Sequence, residues 1–114
     1  MNAKDLQRMR DMVSHAAEAI EMLDDGDGRT LAADRKLFLA ISRLVEIVGE
    51  AASRVSAEAR SAHAQVKWQA AAKMRNILAH DYGQVDVGIL ADTIHYSLTT
   101  LIAQVTKIIE DETP

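Results

Sequence analysis

Proline occurs once in this 114-residue chain, at the final position. Proline is the residue that most reliably breaks a helix, because it lacks the amide donor and clashes with the preceding turn. Its absence from the first 113 positions, together with heavy use of alanine, favours helix throughout. Apolar residues recur at steps of three and four, which places them on one face of a 3.6-residue helix. The expected fold is therefore all-α, an antiparallel helical bundle of four main helices plus one short helix, forming a single domain over residues 1–114. A chain of this size buries roughly two thirds of its unfolded surface, enough for a modest core.

The first helix is expected over Ala3 to Leu23, with a stripe of Leu6, Met9, Val13, Ala16, Ala17, Ile20 and Leu23. Asp24-Asp25-Gly26-Asp27-Gly28 reads as a helix-ending turn. Its spacing does not fit a calcium loop, which needs a distal bidentate glutamate. A second helix is expected from Leu31 to Val55, with Thr30 as N-cap and Asp34 in its early turns, where a negative charge suits the helix dipole. Gly49 interrupts its stripe and leaves room for another backbone to approach. Glu46 and Glu50, with Arg43 beside them, read as a solvated face with weak ion pairs. No histidine stands at ligand spacing from the two glutamates, so neither a metal nor a cofactor is expected there.

Ser56 is the expected N-cap of a short helix over Ala57 to Ala62, followed by a link from His63 to Lys67. The next helix begins near Trp68, the sole tryptophan, whose size suits a core anchor; stacking on a nucleobase is the sharper alternative. Asp86 is the expected N-cap of a last helix over Val87 to Glu112, with Ile89, Leu90, Ile94, Leu98, Leu101, Ile102, Val105, Ile108 and Ile109 as its stripe and a frayed tail beyond. Long helices with apolar faces on a small chain make a symmetric homodimer the default expectation.

Cysteine is absent, which rules out a disulfide framework or a thiolate site. No run approaches the ~20 apolar residues of a membrane span, and the N-terminus lacks the apolar core of a signal peptide. A cytoplasmic protein with no membrane association is expected. The net charge of −4 argues against broad, sequence-blind binding to duplex nucleic acid. A local basic cleft stays open, because Lys67, Lys73 and Arg75 are close together.

The chemistry concentrates in Met74-Arg75-Asn76-Ile77-Leu78-Ala79-His80-Asp81-Tyr82, where a helical pattern gives way to a turn around Gly83. Arg75 offers a permanently charged fork of donors that matches phosphate oxygens. His80 can take or give a proton near neutrality. Asn76 and His80 are four apart and share a helix face, whereas Arg75 and His80 are five apart and differ by about 140° around the axis. These groups suit a phosphate ester. On spacing alone, the alternative is a set of solvated side chains satisfying a helix C-terminus.

Arg75-Asn76-x-x-x-His80-x-Tyr82 resembles the signature of the HEPN superfamily and, within it, the HepT-like toxins. Asp34-Arg35-Lys36, Glu46-Ile47-x-Gly49-Glu50-Ala51, Trp68 and Val85-Asp86 extend the resemblance over nearly the whole chain. The His63 to Lys67 region lacks the prolines expected of the family there. The resemblance implies a metal-independent endoribonuclease with RNA as substrate. It also implies a dimerising bundle that brings two Arg-x4-His motifs to one cleft, and a nucleotidyltransferase-fold antitoxin as partner. Arg75, Asn76 and His80 would be the catalytic residues, and Tyr82 the residue on which the antitoxin places AMP. The alternative is a non-catalytic module of the same superfamily that binds nucleotide or RNA, or docks a nucleotidyltransferase.

Overall fold

The computed structural model describes residues 1–113, with only the backbone described at Tyr82. The chain is all-α. Helix α1 (Ala3–Leu23) starts at Asn2, whose side chain accepts a hydrogen bond from the Asp5 amide at 2.7 Å. It ends at Asp24, where φ of 54° turns the backbone out of the helix. Its buried face is Met9, Met12, Ala16, Ala19 and Leu23, rotated slightly from the expected stripe, with Ala17 exposed and Val13 only partly buried.

The expected second helix is two helices. The first, α2 (Gly28–Ala33), is capped by Asp27 and not by Thr30. The Asp27 carboxylate accepts from the Arg29 and Thr30 amides, while the Thr30 hydroxyl accepts from the Asp27 amide at 3.0 Å. Thr30 is thus the third residue of a capping box. Asp34 then adopts extended backbone (φ −130°, ψ 97°) and accepts from the Leu37 amide at 3.0 Å, starting α3 (Arg35–Arg54). A carboxylate that caps a new helix competes with continuation of the old one, and that competition divides the segment.

Ser56 caps α4 (Ala57–Ala62) as expected, accepting from the Ala59 amide at 3.2 Å. It also ties two distant helix starts together. Buried Asp5 accepts from the Ser56 amide at 2.8 Å and from the Ser56 hydroxyl at 2.6 Å. Helix α5 (Trp68–His80) follows the link, and Trp68 is the core anchor: it is buried, and its indole donates to the His63 carbonyl at 3.0 Å. A 3-10 turn over Tyr82–Gln84 leads to Asp86, which caps α6 (Val87–Asp92) by accepting from the Ile89 amide.

The last helix runs without a break, but its middle differs from expectation. After α6 come six π-helical residues, Thr93–Leu98, and then α7 (Thr99–Glu112). Ile89 is 60% exposed and stands off the stripe, while Leu90, Ile94, Leu98, Leu101, Val105 and Ile108 are buried. Helical structure continues through Glu112, whose carboxylate lies 3.3 Å from the N-terminal amine of Met1.

Helix α1 packs against α3 and α7, α3 against α5, and α2 against α6. The shared core includes Met9 and Met12 of α1, Ile41, Val48 and Ala52 of α3, and Val105 of α7. Two glycines allow the α2–α6 contact, since a Cβ on Gly28 would stand 2.9 Å from the backbone of Gly88. Among the described residues, no helix is long and apolar enough to cross a membrane.

Candidate active site

The site is built where α5 crosses α3. A Cβ placed on Gly49 would collide with the Arg75 Cβ and lie 2.5 Å from the Ala71 carbonyl oxygen. Only a residue without a side chain lets the two backbones come this close. The room that the sequence shows at Gly49 is therefore filled by α5, and Arg75 is the residue set over it.

From that position Arg75 reaches two acceptors. Its Nη2 lies 2.7 Å from Glu50 Oε2, and its Nη1 donates to Asn76 Oδ1 at 2.8 Å. Glu50 also accepts from Arg54 Nε at 2.8 Å, one turn along α3. The carboxylate is thus bracketed by two guanidiniums. Its pKa is lowered chiefly by the hydrogen bond from Arg54, against partial desolvation, with the charge of Arg75 adding to the effect. Glu50 stays ionised, and it holds the Arg75 fork in one orientation while occupying part of it. About a third of each side chain remains exposed, 35% for Arg75 and 34% for Glu50.

Asn76 turns its amide oxygen to Arg75, not to His80. His80 is the last residue of α5 and is exposed, and among the described residues no hydrogen bond or ion pair engages its ring. The helix does not unwind before His80: Asp81 closes it by donating its amide to the Ile77 carbonyl at 2.8 Å. Five helical steps put Arg75 and His80 about 7.5 Å apart along the axis and about 140° apart around it. Within one chain, among the described residues, no hydrogen bond joins the two side chains. The side chain of Tyr82 lies outside the described residues, and its backbone follows His80 by two positions in the 3-10 turn.

The segment that leads into and forms α5 is basic in sequence. No acidic residue occurs between Ala59 and His80, whereas Arg60, Lys67, Lys73 and Arg75 do. On a chain of net charge −4, this is a segregated basic stretch. Beside the crossing, a groove of about 350 Å3 opens between α3, α5 and the π-helical stretch, lined in part by Gly49, Met74, Lys67, Tyr96 and Gln104.

Sequence spacing alone did not reveal Glu50 as the partner of Arg75. Glu50 and Arg75 are 25 positions apart, and only the packing of α5 on α3 brings them together. The one available signal was Gly49, which marked the crossing next to the carboxylate.

Comparison with known proteins identifies the family. The family described as "Ribonuclease HepT-like" matches residues 6–108. The chain is 29% identical over 103 residues to a probable ribonuclease HepT of Thermococcus cleftensis, covering 87% of this chain and 94% of that protein. It is 37% identical over 79 residues to a candidate RNase of Caldanaerobacter subterraneus subsp. tengcongensis, covering 69% and 70% of the two chains. A candidate RNase of Methanocaldococcus jannaschii is 26% identical over 101 residues, covering 89% of this chain and 87% of that one. No solved structure matches the chain. With all but its ends matched, and with its glycine-seated arginine and exposed histidine on one helix, the chain belongs to the HepT-like ribonuclease family.

Proposed function

We propose that the protein is a metal-independent endoribonuclease toxin that cleaves RNA through Arg75 and His80. One observation carries this reading. In a chain matched to the HepT-like ribonucleases over residues 6–108, α5 holds an oriented guanidinium and an exposed imidazole that no hydrogen bond or ion pair engages among the described residues, at one end of a basic segment.

The chemistry needs few groups. A base removes the proton of an RNA 2′-hydroxyl, and the 2′-oxygen attacks the adjacent phosphorus. The 5′-oxygen leaves and takes a proton from an acid, giving a 2′,3′-cyclic phosphate and a new 5′-hydroxyl end. His80 supplies a group suited to either proton step. Arg75 stabilises the charge that builds on the phosphoryl oxygens, and Asn76 holds the guanidinium to that task. One imidazole per chain does not serve both steps at once. Two chains forming a homodimer, each contributing a His80 to a shared cleft, would supply base and acid together.

The same reading assigns regulation. A nucleotidyltransferase-fold antitoxin transfers AMP from ATP to the Tyr82 phenol, releasing pyrophosphate. The added phosphate and base then occupy the cleft and compete with RNA for Arg75. The direct test is to incubate the purified protein with RNA in the presence of a chelator and to characterise the ends. New 5′-hydroxyl and cyclic-phosphate termini support the reading; 5′-phosphate ends, or dependence on added metal, oppose it.

One observation favours a second reading. Arg75 is already paired with Glu50, which a phosphate would have to share or displace. A non-catalytic module that docks a nucleotidyltransferase needs no such displacement, and one that binds RNA or nucleotide needs Arg75 free for no chemical step. Intact RNA after prolonged incubation, with the protein still binding that RNA or the transferase, would select it.

A further inference from the structure

We infer that the groove between α3, α5 and the π-helical stretch is a base-holding subsite for single-stranded RNA, with Tyr96 as its stacking platform. The inference rests on the ribonuclease reading for its substrate and on separate residues for its geometry.

The groove adjoins the α3–α5 crossing. Gly49, over which Arg75 is seated, and Met74, its neighbour in α5, both line it. A strand that passes the crossing at Arg75 meets this hollow beside it. The hollow's volume of about 350 Å3 falls in the range of small-ligand sites, roughly 300–1,000 Å3. Its floor is apolar, with Val48 and Leu101, and its rim carries Lys67, Tyr96 and Gln104. That division suits a nucleotide: a flat base over an apolar floor, and a phosphate beside a cation.

Among the described residues, Tyr96 is the most exposed of the large apolar side chains, at 71%. It sits in the π-helical stretch Thr93–Leu98, a backbone form that recurs where a helix presents a functional side chain. The neighbouring His95 is fixed by its Nε2, which lies 2.6 Å from the Gly26 carbonyl oxygen and meets the Tyr96 ring edge-on with centroids 6.4 Å apart. An exposed ring with fixed support on one side is a stacking surface, the usual means of holding unpaired bases without strict sequence readout. Gln104 donates its amide to the Gln65 carbonyl at 3.3 Å, which leaves its own side-chain oxygen to meet a base edge. The acid-free stretch from Ala59 to His80 supplies the charge complementarity for the strand.

The test is binding of a short, fluorescein-labelled single-stranded RNA with all 2′-hydroxyls methylated, which cannot be cut by 2′-oxygen attack. Wild type, Tyr96→Ala, Tyr96→Phe and, as a control on the exposed face of α1, Met22→Ala are compared by anisotropy, with circular dichroism to verify folding. The expected result is about tenfold or greater weakening for Tyr96→Ala, recovery in Tyr96→Phe, and little change in Met22→Ala. Lys67→Ala should lower the salt dependence of binding by about one counterion's share. Binding of Tyr96→Ala within twofold of wild type would overturn the inference. So would absence of wild-type binding, or a loss of oligomerisation in Tyr96→Ala with affinity per chain unchanged. Cleavage of unmodified RNA is scored separately: a protein that binds through Tyr96 without cutting keeps this inference and loses the ribonuclease reading. A protein that cuts normally as Tyr96→Ala does the reverse.

Discussion

Arg75 and Glu50 meet across the α3–α5 crossing with 2.7 Å between Nη2 and Oε2. The pair couples the crossing to the chemistry, because the carboxylate that orients the guanidinium also competes with any phosphate for it. In Glu50→Gln the competing charge is gone. We expect severalfold tighter binding of non-cleavable RNA, with a steeper salt dependence, at small cost in stability because both side chains are partly exposed. Weaker binding would show instead that the carboxylate's orienting role outweighs its competition.

Gly49→Ala tests the crossing itself. In an open helix interior, alanine in place of glycine is stabilising by about 0.5–1 kcal/mol. At Gly49 the new methyl meets the Ala71 carbonyl oxygen and the Arg75 Cβ, so the two helices must separate. Overpacking of this kind costs about 1–3 kcal/mol. Urea denaturation should show a lower midpoint, whereas an unchanged or higher midpoint would mean that α5 is not seated there.

The Asp5–Ser56 link should be visible in acid. Burial raises the Asp5 pKa, but the hydrogen bonds from the Ser56 hydroxyl and amide, with help from Asn2, bring it below the ordinary value of 3.8. The folded pKa is the lower one, so the contribution to stability is fully present above the unfolded value. It is lost as pH falls from near 3.8 through the folded value. Asp5→Asn should flatten the stability profile in that window relative to wild type. Ser56→Ala removes both the α4 cap and a donor to a buried carboxylate, and should cost about 1–3 kcal/mol at neutral pH. Superimposable acid titrations of wild type and Asp5→Asn would remove Asp5 from the account.

Tyr82→Phe separates regulation from cleavage. It deletes only the phenol oxygen proposed to accept AMP. With a nucleotidyltransferase antitoxin and ATP present, mass spectrometry should find one AMP on the wild type and none on the variant. RNA cleavage by the variant should persist under those conditions. AMP on a different residue of Tyr82→Phe would reassign the acceptor.

The legible parts of the fold were those set by local pattern. The steps of three and four marked α1 from end to end, and Ser56 and Asp86 announced their helices because a cap acts on amides two or three residues away. The break at Asp34 is hard to read locally, because several acidic residues near Thr30 compete as caps; Asp27 is the one used, at the start of a helix that packs close to Gly88. The π-helical stretch was invisible, since one changed hydrogen-bond register inside a continuous apolar stripe leaves little sequence trace. Arg75, Asn76 and His80 stand out as candidates by their spacing within one helix. Their relation to Glu50, and the groove beneath Tyr96, arise from tertiary packing that no local pattern encodes.

The most direct measurement is single-turnover cleavage of one RNA by wild type and His80→Ala at matched RNA occupancy. The account predicts that removing the imidazole lowers the rate by about 10²–10⁴, the usual worth of a positioned acid or base, while the fold and RNA affinity stay intact. Cleavage by His80→Ala at the wild-type rate would contradict it.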